Sequence, residues 1–130
     1  MITESEFVAL LARPEGPQLD FKRESYKLTG EAAGDLIKDV LSMANTPRED
    51  DSYLILGVKK HADGKVDLFG LSECPDDNEV QNAVKSKVHP CPVFLFFTIT
   101  YQGKVFGIIR IKPERLGPCQ ATSDVGKVRR

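Results

Sequence analysis

The sequence is poor in the features that assign a protein to a compartment or a cofactor. It has three cysteines, Cys74, Cys91 and Cys119. The number is odd and no C-x-x-C occurs, so a disulfide framework is disfavoured and reduced thiols in a cytoplasmic setting fit better. With His61 and His89 these cysteines match no zinc-ligand spacing. No apolar run approaches the roughly 20 residues that span a bilayer, and no basic segment with an apolar core opens the chain, so neither a membrane partner nor a secretory signal is expected. Neither charge sign is in excess: 18 basic against 19 acidic residues leave a net charge of -1. That weighs against a strong, unspecific polyanion binder and leaves room for a local basic face. There is no G-x-x-x-x-G-K-[ST] loop, no G-x-G-x-x-G, no repeat and no low-complexity segment.

What remains is a chain of 130 residues, enough for one domain over 1–130 with a core that needs no staples. Thr3-Glu4-Ser5-Glu6 reads as a capping box opening a helix to Ala12, with Phe7, Leu10 and Leu11 as its apolar stripe and Arg13-Pro14 as its stop. Residues 18–23 read as a strand. Thr29 is a fitting N-cap for a helix over 30–44, in which Ala33, Leu36, Ile37, Val40, Leu41 and Ala44 recur at helical spacing. Glu31, Asp35, Lys38, Asp39 and Ser42 take the other side, as a solvated face. Residues 53–58 are apolar without alternation, as in a strand buried on both faces, and Gly57 in it signals close approach of another backbone. Residues 59–64 read as a hairpin connection turning at Asp63-Gly64, with a return strand over 65–71. A third helix capped at Asp76 or Asp77 buries Val80, Ala83, Val84 and Val88. A second hairpin, 93–101 and 104–112 across Gln102-Gly103, brings Phe94, Leu95, Phe96, Phe97 and Ile99 to the core. The order α-β-α-β-β-α-β-β predicts an α+β fold: a mixed, mostly antiparallel sheet with helices packed mainly on one face.

Polar residues at the edges of the first strand carry the chemistry. Strand side chains alternate, so Asp20 and Lys22 share one face while Leu19 and Phe21 share the other. Gly16-Pro17 is loop punctuation that could fold Glu15 back beside Asp20. Two carboxylates and a lysine in one place could hold a divalent cation and a phosphate. The D-x-K element is also like the end of the motif of restriction-type nucleases. On their own, the same residues read first as the charged, solvent-facing side of an edge strand.

Glu15-(four residues)-Asp20-Phe21-Lys22, a helix ending Met43-Ala44-Asn45-Thr46, and Tyr53-Leu54-Ile55-Leu56-Gly57-Val58 together resemble the Schlafen AlbA-like domain family. Its pattern is E-x-x-x-x-E/D-F-K, then A-N-T-G-G, then I-G-V-D-D. The resemblance continues through Asp63-Gly64-Lys65, Phe69-Gly70 and the C-terminal strands. It implies nucleic-acid binding and, in the family's ribonucleases, three carboxylates holding Mg²⁺ or Mn²⁺. Glu15 and Asp20 match the first two, with Lys22 steadying the scissile phosphate. Where the third belongs, this chain has Lys59-Lys60, and an ammonium there repels a cation and favours a phosphate.

The expected function is therefore a nucleic-acid-binding module, RNA favoured over DNA by that resemblance, with Lys22, Arg23, Lys27, Lys59, Lys60, Lys65 and Arg110 as candidate phosphate contacts. A metal-dependent endoribonuclease using Glu15, Asp20 and Lys22 is the alternative, and a dimerisation or protein-interaction domain is the third reading. The resemblance also makes a homodimer plausible. The abrupt end on two arginines suggests the N-terminal part of a longer protein, with an effector or regulatory domain to follow.

Overall fold

A computed structural model describes residues 2–26, 33–45, 50–89, 92–113 and 120–121. The first helix, α1 (Glu4–Ala12), opens with the expected capping box: Thr3 Oγ1 accepts from the Glu6 N–H and Glu6 Oε1 from the Thr3 N–H, both at 3.1 Å. Arg13, extended at ψ 146°, ends it before Pro14. Strand β1 (Leu19–Lys22), helix α2 (Ala33–Ala44) and strand β2 (Ser52–Leu56) follow as a β-α-β unit, with β1 and β2 paired in parallel, Leu19 opposite Tyr53 and Lys22 opposite Leu56. The start expected for α2 at Gly30, with its Thr29 cap, lies outside the described residues.

Next come β3 (Val58–Lys60), β4 (Val66–Leu68), α3 (Asp77–Lys85, capped by Asp76), β5 (Val88–His89), β6 (Phe94–Tyr101), β7 (Lys104–Ile111) and β8 (Gln120–Ala121). The main sheet runs β1-β2-β7-β6, parallel only between β1 and β2. Strands β3–β4 and β5–β8 form two small separate ribbons. Gln102 and Gly103, at φ 51° and 75°, make the tight β6–β7 turn, whose two left-handed residues match the twist of the strands.

The fold is the α+β arrangement expected, a mixed and mostly antiparallel sheet, and the details differ in informative ways. The strand expected over 53–58 breaks at Gly57, whose φ of +99° turns the chain out of the sheet and into β3. A Cβ there would lie 3.1 Å from Gly70 Cα, Gly70 C and Phe106 Cδ1, so the close approach expected of this glycine is present. Lys59 and Lys60 consequently belong to a strand rather than to a connection. Helices α2 and α3 cover one face of the sheet and α1 covers the other.

Two cores result. Leu36, Ile37, Val40, Leu54, Leu56, Val84, Phe94, Phe96, Ile109 and Ile111 pack on the α2 side. Phe7, Leu10, Leu11, Leu19, Phe21, Ile55, Val58, Phe106 and Ile108 pack on the α1 side. Each fully buried side chain of this size contributes about 1.5–3 kcal/mol, more than an exposed ion pair, so the cores and not the charges hold the fold. The outer edge of β6 is partly closed by α3: the Phe96 N–H donates to Asp77 Oδ1 at 2.9 Å, and Gln81 Nε2 donates to the Phe94 carbonyl at 2.6 Å. Leu95, expected in the core, is 44% exposed. Among the described residues no helix is long and apolar enough to cross a membrane.

Candidate nucleic-acid interface

Alternation along β1 sends Leu19 and Phe21 into the α1 core and leaves Asp20 and Lys22 on the α2 face. Glu15 folds back as its position before Gly16-Pro17 suggested. The Phe21 N–H donates to Asp20 Oδ1 at 3.0 Å and to Glu15 Oε2 at 3.3 Å, so one backbone donor gathers both carboxyls. The two carboxyls also hydrogen-bond each other, which is the main cause pushing Glu15 up. Burial pushes Asp20 up as well, but the Glu15 hydrogen bond and the Lys22 ammonium outweigh it and hold Asp20 below the usual carboxylate range. The two carboxyls are thus driven apart in proton affinity, Glu15 upward and Asp20 downward.

Lys22 Nζ lies 3.2 Å from Asp20 Oδ2 and 3.5 Å from Asp39 Oδ2. Burial lowers its pKa, and the charges of Asp39 and Asp20 more than offset this, so the ammonium is firmly protonated. Asp39 comes from α2, where it was expected on a solvated face. Instead its Oδ2 also accepts from the Tyr26 hydroxyl at 2.5 Å. Burial, then that hydrogen bond, drives the Tyr26 hydroxyl far up, so it acts as a donor and not as an acid. The chain Glu15, Asp20, Lys22, Asp39, Tyr26 is thus one network joining β1, the segment after it and α2.

Beside the network lies a cleft of about 570 Å³, lined by Lys22, Arg23, Glu24, Ser25, Tyr26, Asp35, Lys38 and Asp39. It sits at the carboxyl end of β1, in the parallel pair of the sheet, where the crossover geometry of α/β units leaves a crevice. Lys22 is committed to two carboxylates. Arg23 and Lys38 are exposed and pair with no carboxylate among the described residues. Arg23 instead lies over the Phe69 ring, its Cζ 4.4 Å from the centroid.

The other expected phosphate contacts do not share this face. Lys60 Nζ donates to the Leu11 and Arg13 carbonyls at 2.7 and 2.6 Å, closing the C-terminal end of α1, and stands 5.5 Å from the Phe21 centroid. Arg110 alternates with Ile109 and Ile111 and so faces the α1 side, where its Nε meets Asp51 Oδ2 at 2.6 Å. Lys59 is exposed opposite Asp67 across the β3–β4 ribbon, and Lys65 is exposed beside its turn. Lys27 lies outside the described residues.

The residues fit a divalent cation poorly. Among the described residues no three of His, Cys, Asp and Glu converge as a metal set. Glu15 and Asp20 come together, but the Lys22 ammonium separates Asp20 from Asp39. The acids nearest Lys59-Lys60 in the chain are engaged elsewhere: Asp67 Oδ2 is 2.7 Å from His61 Nε2, and Asp63 Oδ1 accepts from the Lys65 N–H at 3.0 Å. Cys74 is exposed, Cys91 and Cys119 lie outside the described residues, and so does the side chain of His89.

Residues 15–130 match the sequence profile of the family described as Schlafen, AlbA_2. The chain belongs to that family. The match begins at Glu15, the first residue of the polar network. No curated protein matches the AlbA_2 chain. Among solved structures it is similar to the N-terminal domain of a protein related to the ATP-dependent DNA helicase RecG, from Nitrosomonas europaea: 22% identity, a TM-score of 0.58, 94% of this chain and 85% of that one covered. It is also similar to the DIP2311 protein of Corynebacterium diphtheriae, at 20% identity and a TM-score of 0.60, over 92% of this chain and 23% of that one. At such identities the likeness is one of fold.

Sequence reasoning placed Glu15, Asp20 and Lys22 together and missed Asp39 and Tyr26. The signal for Asp39 was weak but present: an acid on the polar flank of a helix that follows directly on the strand carrying Asp20 and Lys22.

Proposed function

We propose that this AlbA_2 domain is a nucleic-acid-binding module, with RNA favoured over DNA. The observation that carries the reading is the cleft after β1, where Arg23 and Lys38 stand exposed and pair with no carboxylate among the described residues, beside a Lys22 already held by Asp20 and Asp39. Phosphates of a strand laid along the cleft meet Arg23 and Lys38, and the Tyr26–Asp39–Lys22 chain fixes the wall behind them. Family membership supports the class of ligand, as does the helicase-related name of one structural neighbour. The preference for RNA rests on the Schlafen resemblance alone.

A second reading, a metal-dependent endoribonuclease, is favoured by one specific feature: the Phe21 N–H gathers the Glu15 and Asp20 carboxyls, the two that match the first two metal-holding carboxylates of the family's ribonucleases. It requires a third ligand and displacement of Lys22 from Asp20.

One experiment separates the readings. Labelled tRNA, single-stranded DNA and duplex DNA are incubated with the chain in Mn²⁺ or EDTA, beside an Asp20→Ala control. A salt-sensitive shift without fragments supports the binding module. Mn²⁺-dependent fragments that vanish with Asp20→Ala establish the nuclease. Neither a shift nor fragments would refute both and leave an interaction domain.

A further inference from the structure

We infer that Phe69 and Arg23 form a stacking platform for an unpaired nucleobase, so that the strand bound at the cleft is single-stranded. The inference rests on the nucleic-acid reading above and names which form of nucleic acid the site takes. Phe69 is 42% exposed and is the one aromatic ring among the strongly exposed large apolar residues described. A lone exposed apolar side chain is ordinary; the mounting of this one is not. The Phe69 and Gly70 N–H groups both donate to the Gly57 carbonyl, at 2.9 and 3.0 Å, and the Gly57 N–H donates to the Lys22 carbonyl at 2.7 Å. Gly70 holds a φ of +72°, and a Cβ at Gly57 would press on it at 3.1 Å. The ring is therefore carried by a clamped backbone tied to the end of β1, and does not fold inward.

Arg23 completes the platform. Its guanidinium lies 4.4 Å from the ring centroid, is exposed, and is engaged by no carboxylate among the described residues. It also lines the cleft with Lys22 and Lys38. A planar cation resting on a ring offers a second flat surface to a base, while its N–H groups remain directed sideways to a phosphate. A base stacked here leaves its own backbone over Arg23 and Lys38. Duplexes keep their π-faces inside the stack and cannot use such a surface, so the platform discriminates by strandedness and tolerates any base.

The chain contains no tryptophan, so Phe69→Trp supplies both a conservative replacement and a single fluorescent reporter. The test uses the full chain with 12-nucleotide single-stranded RNA, the same sequence as single-stranded DNA, and the matching duplexes, each followed by anisotropy, with folding of every variant checked by circular dichroism. Wild type and Phe69→Trp should bind single strands more tightly than duplex, and the tryptophan emission should be quenched saturably by single strands of either sugar. Phe69→Ala should lose roughly tenfold on single strands and little on duplex. Binding by wild type with Phe69→Ala unchanged and tryptophan emission unmoved would overturn the platform and leave the binding module standing. Absence of binding to any of the four probes would overturn the binding module, and the platform with it.

Discussion

The two faces of the sheet carry the same kinds of residue and use them differently. On the α1 face, Lys60 spans two carbonyls at the end of a helix, and Arg110 lies on Asp51 with its Cζ 5.8 Å from the Tyr53 centroid. Lys112 joins the same Asp51 oxygen at 3.3 Å. Those charges close the structure. On the α2 face, Lys22 is held between two carboxylates, while Arg23 and Lys38 beside it are left open over a cleft. Counting cations along the sequence treats the two faces alike. Asking what each cation already touches separates them.

The largest way to break the comparison is to break the joint between the faces. Gly57 leads β2 into β3 at φ +99°, with Gly70 and Phe106 at 3.1 Å from any added Cβ. Gly57→Ala should cost about 3 kcal/mol from backbone strain and overpacking, read as a lower urea midpoint. An unchanged midpoint would mean that the Gly57–Gly70 approach is loose.

Lys60→Ala should come next, at about 1.5 kcal/mol, because two carbonyls at the end of α1 lose a charged donor. Nucleic-acid affinity, measured by anisotropy, should stay within about twofold. A variant that is fully stable yet binds poorly would move Lys60 from the structural to the functional column.

Asp51→Asn should cost about 1 kcal/mol at neutral pH, since the Arg110 side of the bridge is partly exposed. Burial raises the Asp51 pKa, but Arg110 and Lys112 outweigh it and leave the group below its ordinary 3.8. A lowered carboxylate contributes stability that is present above 3.8 and is lost as pH falls through the folded value. The difference between wild type and Asp51→Asn should therefore close below that pH in a series of urea titrations. A gap that persists in strong acid would assign the effect to packing.

Arg23→Ala should have the smallest effect on folding, within about 0.5 kcal/mol for an exposed side chain. It should nevertheless weaken single-strand binding several-fold. If it destabilised the fold more than Lys60→Ala does, the contrast between the faces would be reversed.

Much of this was legible in the sequence because it rests on local chemistry. The Thr3–Glu6 box, a helix cap at Asp76 or Asp77, the alternation of Leu19, Asp20, Phe21 and Lys22, and the turn at Gln102-Gly103 are each set by a few neighbouring residues. The gathering of Glu15 beside Asp20 was legible for the same reason. What was hidden depends on how elements dock. A helix pattern shows that Asp39 lies off the apolar stripe, but not that Lys22 and Tyr26 will meet it there. Lys59-Lys60 could be placed in chain order against the acidic pair of the family, yet only the break at Gly57 sets Lys60 across the end of α1. Arg110 and Lys22 are similar charges on strands of one sheet, and their opposite faces follow from registers that no single segment specifies.

The central claim is that nucleic acid meets the α2 face through Arg23 and Lys38, and not the α1 face. The direct measurement is the salt dependence of binding to labelled single-stranded RNA for two double variants, both confirmed folded. For single strands each phosphate contact adds about 0.7 to the slope of log affinity against log salt. Arg23→Ala with Lys38→Ala should lower that slope by about 1.4, while Lys60→Ala with Arg110→Ala should leave it unchanged. A lowered slope for the second pair and an unchanged slope for the first would contradict the account.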